Sequence, residues 1–139
     1  MVLQAGGPSM LPTMSIVEYV LEEKIRHEWY PQTLHRGDVV TYLSPIDPHH
    51  LVCKRILGLP GDVVLVDPTT LPDPSRVDAS SQLDGAHVKV PKGHVWVQGD
   101  NATASRDSRM YGPVPISLIR GRLICGIGVC VAWPLEHLF

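Results

Sequence analysis

The chain alternates short apolar runs with turns rich in glycine and proline, a pattern typical of short β-strands. The sequence Leu59-Pro60-Gly61-Asp62 suits a type II turn and predicts a hairpin between residues 51–57 and 63–66. Residues 16–25 fit either an amphipathic helix or a strand. The pattern therefore predicts a mainly β fold of short antiparallel strands with little helix. The predicted strands are residues 39–43, 51–57, 63–66, 87–90, 95–98 and 123–132.

Length and composition indicate one globular domain, residues 1–139, with no nucleic-acid partner. Hydrophobic residues make up 44% of the chain, enough for a packed core. The net charge of −2 and the aromatic content of 6% do not supply the basic face and stacking rings that nucleic-acid binding needs. Residues 67–85 are polar and proline-rich, which predicts an exposed loop. The longest uncharged apolar run, residues 123–133, falls short of the roughly 20 residues of a membrane-spanning helix.

The cysteines and histidines suggest neither a disulfide framework nor a metal site. Cys53, Cys125 and Cys130 are odd in number and lack zinc-ligand spacing. They are predicted to be buried thiols in strands. No metal and no cofactor is predicted.

Lys54 is the only one of the four lysines that lies inside a strongly apolar predicted strand. Strand alternation places it on the same face as Val52 and Ile56. Burial disfavours the charged amine and lowers its pKa, so a buried Lys54 can act as a general base. The alternative is a lysine whose stem covers an edge strand and whose amine reaches solvent.

Two polar segments are candidates for the rest of an active site. Ser9 follows a Gly-Gly-Pro sequence, which presents its hydroxyl on a constrained backbone. A serine nucleophile needs a base within hydrogen-bond reach and donors for the developing oxyanion. Residues 99–109 are dense in polar side chains, and Asp107 and Arg109 are spaced to join one salt-bridged network. Each segment taken alone is better explained as a turn-rich loop.

Four motifs occur in order along the chain: SMLPT at residues 9–13, RGDVV at 36–40, KRILGLPGD at 54–62 and GDNATASRDSR at 99–109. Together they resemble the motifs of type I signal peptidases, the serine–lysine proteases of membranes. The longer stretches DPHHLVCKRILGLPGDVVLVDP and VPKGHVWVQGDN resemble the mitochondrial branch of that family. The resemblance covers most of the chain, and it implies a single peptidase catalytic domain with the signal-peptidase-type β fold.

The resemblance implies a role for each matching residue. Ser9 is the nucleophile, Lys54 is the general base, and the Ser9 backbone N–H forms part of the oxyanion hole. Ser105 matches a hydroxyl that hydrogen-bonds to the lysine and orients it. Because a carboxylate touching Lys54 would raise its pKa, Asp107 is expected to pair with Arg109 instead. The other supporting positions are matched by Asp100, Asn101 and Arg55.

The implied activity is removal of signal or sorting peptides from proteins delivered to the intermembrane space, at the mitochondrial inner membrane. The implied partners are an extended precursor peptide and a second, homologous peptidase subunit. Family members carry a membrane anchor before the serine motif; eight residues precede Ser9 here, so the anchor is expected to be missing from this chain. Gly7 stands where some bacterial members carry a serine that adds an oxyanion donor.

Two other interpretations stay open from the sequence. One is a non-catalytic binding subunit of the same fold. The other is a soluble, self-cleaving serine–lysine protease of the repressor type, which the absence of an upstream DNA-binding module and the GDN…DSR motif disfavour.

Overall fold

Strands dominate the computed structural model, which describes residues 1–25, 33–66 and 87–127. The helical elements of these residues are short: one α-helix, α1 (Ser108–Tyr111), and 3₁₀ turns at Pro8–Met10, Ala102–Ala104 and Ile116–Leu118. The predicted mainly β fold with little helix is confirmed. The described strands are β1 (Val2–Gly6), β2 (Val17–Lys24), β3 (Val39–Leu43), β4 (Leu51–Gly58), β5 (Val63–Leu65), β6 (His87–Lys89), β7 (His94–Gln98), β8 (Val114–Pro115) and β9 (Ile119–Ile127).

Seven strands form one antiparallel sheet in the order β1-β2-β9-β3-β4-β7-β8. Strands β5 and β6 form a second, two-stranded sheet. Strand β4 lies between β3 and β7. Strands β1 and β2 reach the centre of the large sheet only through β9. The N-terminal strands are therefore held in place by residues about 100 positions further along the chain.

The large sheet is covered by apolar side chains on both faces, because successive residues of a strand point to opposite sides. On β3, Val40 and Tyr42 belong to one cluster and Val39 to another. This is why β3 is buried at successive positions from Val39 to Tyr42 rather than at alternate ones. The central core contains Leu34, Val40, Tyr42, Ile56, Val95, Val97, Val114, Ile116 and Ile119. The N-terminal core contains Met10, Met14, Val20, Val39 and Leu123.

The predicted hairpin between residues 51–57 and 63–66 is wrong, although its turn is present. Gly61 has a φ of 86°, and the Asp62 N–H donates to the Leu59 carbonyl at 3.0 Å. Next to the turn, residues 55–58 of β4 already pair with β7, so this edge is not available to β5. Strand β5 pairs with β6 instead.

Other elements differ from the prediction in extent. Residues 16–25, where helix and strand were both open, contain β2. Strand β1 was not predicted, because the glycines and prolines that follow it obscure a short run. Strand β9 begins at Ile119, before the predicted start at 123. The predicted end of that strand and the loop at 67–85 lie outside the described residues. None of the helices in the three described ranges is long and apolar enough to cross a membrane.

Candidate active site

Lys54 points into the protein rather than to solvent. Strand β4 buries alternate residues, and Lys54 is only 5% exposed while Ile56 on the same face is fully buried. The Lys54 Nζ donates to the Ser9 Oγ at 2.7 Å and to the Cys53 carbonyl at 3.0 Å. The structure thus brings together an amine and a hydroxyl that are 45 residues apart in sequence.

Burial lowers the pKa of Lys54, since a desolvated ammonium is disfavoured. The Asp107 carboxylate acts in the opposite direction but does not offset the burial. Burial also raises the pKa of the Cys53 thiol to about 12, so this thiol is uncharged at neutral pH. Asp107 is therefore the negative charge that matters for Lys54 near neutral pH.

Ser9 lies in the 3₁₀ turn Pro8–Met10, directly after a glycine with unusual backbone geometry. Gly7 has a φ of 111° and a ψ of 161°, a region that L side chains rarely adopt. Its N–H donates to the Ile16 carbonyl at 2.8 Å, which closes the loop that carries Ser9. A serine at position 7 would be strained in this conformation. The absence of a side-chain hydroxyl there is thus built into the local backbone.

The segment 99–105 packs against the backbone around Ser9 and is hydrogen-bonded to it. The Asn101 N–H donates to the Ser9 carbonyl at 2.9 Å, and the Asn101 Nδ2 donates to the Pro8 carbonyl at 3.1 Å. Gly99 makes this approach possible: a Cβ there would lie 2.6 Å from the Ser9 carbonyl oxygen and 2.2 Å from the Ser105 Oγ. The sequence motif includes Gly99 but does not reveal why a glycine is needed there: the lack of a Cβ leaves room for the backbone of Ser9.

Asp107 is fully buried and pairs with Arg109, as predicted. The guanidinium donates to both carboxylate oxygens, from Nε at 2.9 Å and from Nη2 at 2.8 Å. The Gly99 N–H adds a bond at 2.9 Å. Burial tends to raise the pKa of Asp107, but the bonds from Arg109, Ser105 and Gly99 outweigh it and the net pKa is lowered. Asp107 is therefore a charged anchor for this part of the site.

Ser105 does not make the contact with Lys54 that the resemblance implies. Its Oγ donates to the Asp107 Oδ2 at 2.6 Å. Within the described ranges it makes no hydrogen bond to Lys54. An ionised carboxylate is a stronger acceptor for a hydroxyl than a neutral group is, which explains the preference. Ser105 is thus linked to the site through Asp107.

Comparison with known proteins settles the family. Residues 2–126 match the family described as signal peptidase, peptidase S26. The chain belongs to this family. The predicted resemblance and the predicted class, a signal peptidase I-type hydrolase, are therefore confirmed.

Several relatives share this family's fold and sequence. Mitochondrial inner membrane protease subunit 1 is 42% identical in Saccharomyces cerevisiae, over 87% of this chain and 64% of that protein. In Homo sapiens it is also 42% identical, over 97% of this chain and 70% of that protein. The chain thus spans about two thirds of the length of these relatives. A crystal structure of signal peptidase I from Enterococcus faecalis V583 matches 66% of this chain and 97% of its own with a TM-score of 0.50 and 27% identity. The relatives' names support the predicted localisation at the mitochondrial inner membrane.

A second ion pair connects strand β4 of this signal peptidase family member, next to Lys54, to the same loop. Arg55 donates to both oxygens of Asp100, at 2.9 and 2.7 Å, and to the Gly37 carbonyl at 2.7 Å. The Thr13 hydroxyl also donates to Asp100. Burial tends to raise the pKa of Asp100, but the bonds from Arg55 and Thr13 make the net pKa lower than usual. Sequence reasoning assigned no role to Thr13, although it stands inside the SMLPT motif.

A cleft of about 240 Å³ opens beside Ser9 and Lys54. Two strand edges border it. Residues 51–54 of β4 pair with β3, while pairing of β4 with β7 starts only at Arg55. Strand β1 pairs only with β2. Within the described strands, both edges therefore keep unpaired backbone groups beside the cleft. Its apolar lining includes Leu3, Ala5, Met10, Met14, Val20, Leu51, Val52, Cys53 and Leu123.

Proposed function

We propose that this chain is the catalytic domain of a serine endopeptidase that uses Ser9 as nucleophile and Lys54 as general base. Its substrates are sorting peptides of proteins delivered to the mitochondrial intermembrane space. The observation that carries the proposal is the 2.7 Å contact between the Ser9 Oγ and the buried Lys54 Nζ. A hydroxyl and a base within hydrogen-bond reach are the minimum that nucleophilic catalysis by serine requires.

The reaction begins with the neutral amine of Lys54. The Ser9 Oγ attacks the scissile carbonyl carbon while Lys54 takes its proton, and the oxyanion that forms is stabilised by the Ser9 backbone N–H. The Lys54 ammonium then gives its proton to the leaving amine as the C–N bond breaks. A water molecule, deprotonated by the same Lys54, attacks the acyl-enzyme ester, and Ser9 regains its proton.

The substrate binds as an extended segment. An extended peptide can satisfy the unpaired backbone groups of residues 51–54 in β4 and of β1 by adding a strand between them. The apolar lining of the cleft suits uncharged side chains close to the scissile bond. The relatives include both subunit 1 and subunit 2 of the mitochondrial protease. This supports a second, homologous subunit as the partner of this chain.

Cleavage of a fluorogenic sorting peptide by the purified chain in detergent tests the proposal. We expect Ser9→Ala and Lys54→Met each to lower the rate by at least about 10³-fold with the fold intact. Ser117→Ala and Lys92→Met are matched controls at exposed positions and should stay within twofold of wild type. An unaffected rate in Lys54→Met would refute the dyad. Binding of the peptide without cleavage by the wild type would point to a non-catalytic subunit instead.

The pH dependence provides a second test. The base must be neutral, so the rate should rise with pH through the pKa of Lys54, which burial lowers. A rate that stays flat between about pH 6 and 9 would count against a lysine base.

A further inference from the structure

Two tyrosines outside the four sequence motifs connect the strand beside Lys54 to the loop that carries Asp107. Tyr42 lies on β3 and is completely buried in the central core. Tyr111 ends α1 and packs against the same core. Their hydroxyls are hydrogen-bonded to each other. The Tyr111 hydroxyl also makes a long contact of 3.5 Å with the Arg106 carbonyl oxygen.

The position of Tyr42 relates it directly to the proposed base. In the antiparallel register of β3 and β4, Val40 is opposite Lys54 and Tyr42 is opposite Val52. Residues paired in this way share a face, so Tyr42 is a diagonal neighbour of Lys54. Its ring is part of the apolar packing on the face where Lys54 is buried.

The position of Tyr111 relates it to the anchor of the loop. The Tyr111 N–H donates to the Asp107 carbonyl at 3.2 Å, so Tyr111 is bonded directly to the backbone of the residue that bears the carboxylate. Burial raises the pKa of Tyr42 far above its usual value and that of Tyr111 to about 12, and the nearby Asp107 acts in the same direction. Both hydroxyls therefore stay protonated across the working pH range and act as neutral donors.

We propose that the Tyr42–Tyr111 hydroxyl pair is a positioning device that keeps the Asp107 loop closed over Lys54 and so keeps the base dry. The inference rests on the proposed role of Lys54. Neither tyrosine is placed in contact with substrate, so neither is a catalytic residue. They influence the reaction indirectly, because they affect how deeply Lys54 is buried and how far Asp107 lies from it.

The direction of the effect follows from the groups that act on Lys54. Burial is the larger influence and lowers its pKa, whereas Asp107 raises it. The Cys53 thiol and the Tyr42 hydroxyl beside it are both uncharged near neutral pH, and Arg109 neutralises Asp107. Removing the Tyr42 hydroxyl loosens the loop and admits water. The loss of burial then raises the pKa of Lys54 by more than any retreat of Asp107 lowers it.

The variants Tyr42→Phe, Tyr111→Phe and the double variant test this inference, with Tyr19→Phe as a control at a position that is 53% exposed. For Tyr42→Phe we expect kcat/KM at neutral pH to fall about twofold to tenfold, the size of one lost hydrogen bond, and to approach the wild-type value at high pH. The double variant should be no worse than the poorer single variant, because the two hydroxyls act as one unit.

A second measurement does not need activity. The chain has four lysines, so the ¹³C-labelled lysine signals can be titrated by NMR, with Lys54 identified by its absence in Lys54→Met. We expect the midpoint of the Lys54 signal to rise in Tyr42→Phe and to stay unchanged in Tyr19→Phe. An unchanged or lower midpoint, or a loss of rate by the same factor at every pH, would overturn the inference. If instead the wild type fails to cleave peptides in a Ser9-dependent manner, the proposed function is wrong, while the NMR midpoint still decides the role of the tyrosines.

Discussion

Replacing Asp107 with asparagine changes the charge of the most heavily bonded carboxylate of the site while keeping its shape. Oδ1 accepts from the N–H and Nε of Arg109. Oδ2 accepts from Ser105, from Gly99 and from the Nη2 of Arg109. An asparagine has one acceptor oxygen, and its NH₂ group would face donors on the other side. At least two of these bonds are therefore lost, whichever way the amide turns.

The size of the effect follows from the burial of both partners. The Asp107 side chain is fully buried and the Arg109 side chain is 12% exposed. Removing one member of a buried ion pair costs about 3–5 kcal/mol, because the other charge is left without a partner. Since domains are stable by about 5–15 kcal/mol, we expect a folded variant with a clearly lower free energy of unfolding.

The pH dependence of this loss has a definite sign. The folded-state pKa of Asp107 is lowered, so its contribution to stability is complete above the unfolded pKa of about 3.9 and disappears as pH falls through the folded pKa. The difference in unfolding free energy between wild type and Asp107→Asn should thus be largest at pH 7 and disappear at low pH.

Urea unfolding at a series of pH values measures the loss of unfolding free energy and its pH dependence. Asp47→Asn changes an exposed carboxylate and is the matched control, with an expected loss below about 1 kcal/mol. The reasoning would be refuted if Asp107→Asn unfolded within about 1 kcal/mol of wild type at pH 7.

Three further changes have expected outcomes. Gly99→Ala puts a Cβ 2.6 Å from the Ser9 carbonyl oxygen, so urea unfolding should show a loss of about 1–3 kcal/mol and peptide cleavage should fall sharply. Lys54→Met removes a buried amine whose pKa is lowered on folding, so the variant should have a higher free energy of unfolding than wild type at pH 7. This difference in unfolding free energy should become smaller as the pH approaches about 10.4, which urea unfolding at several pH values measures. Asp100→Asn breaks the two-bond contact with Arg55 and should lower stability by about 1–3 kcal/mol in thermal or urea unfolding.

Local patterns were sufficient to predict much of the sheet and to mark Ser9 and Lys54 as separate candidates. Burial of Lys54 follows from its place in an apolar run of β4, since alternation alone puts it beside Ile56. The Pro60-Gly61 turn was likewise predicted from residues that demand one backbone conformation. The resemblance of short motifs then brought Ser9 and the segment 99–109 together with Lys54, which no local pattern could do.

Long-range pairing was the part that the sequence could not supply. The partner of β5 depends on which edges of β4 are already occupied, and this is decided by β7, about 40 residues away. The bond of Ser105 to Asp107 rather than to Lys54 depends on the folded chain placing an ionised carboxylate within reach of the hydroxyl. The need for Gly99 appears only when the Ser9 loop is packed against it.

The strand order has a consequence for a polypeptide that is still being made. Synthesis delivers Ser9 early, yet β1 and β2 dock onto the rest of the sheet only through β9, and Asn101 must be present to hold the Ser9 turn. A growing chain therefore contains Ser9 long before it contains β9 and Asn101, which hold Ser9 in position. The site proposed for this protein can therefore be assembled only when residues up to about 127 are available to fold.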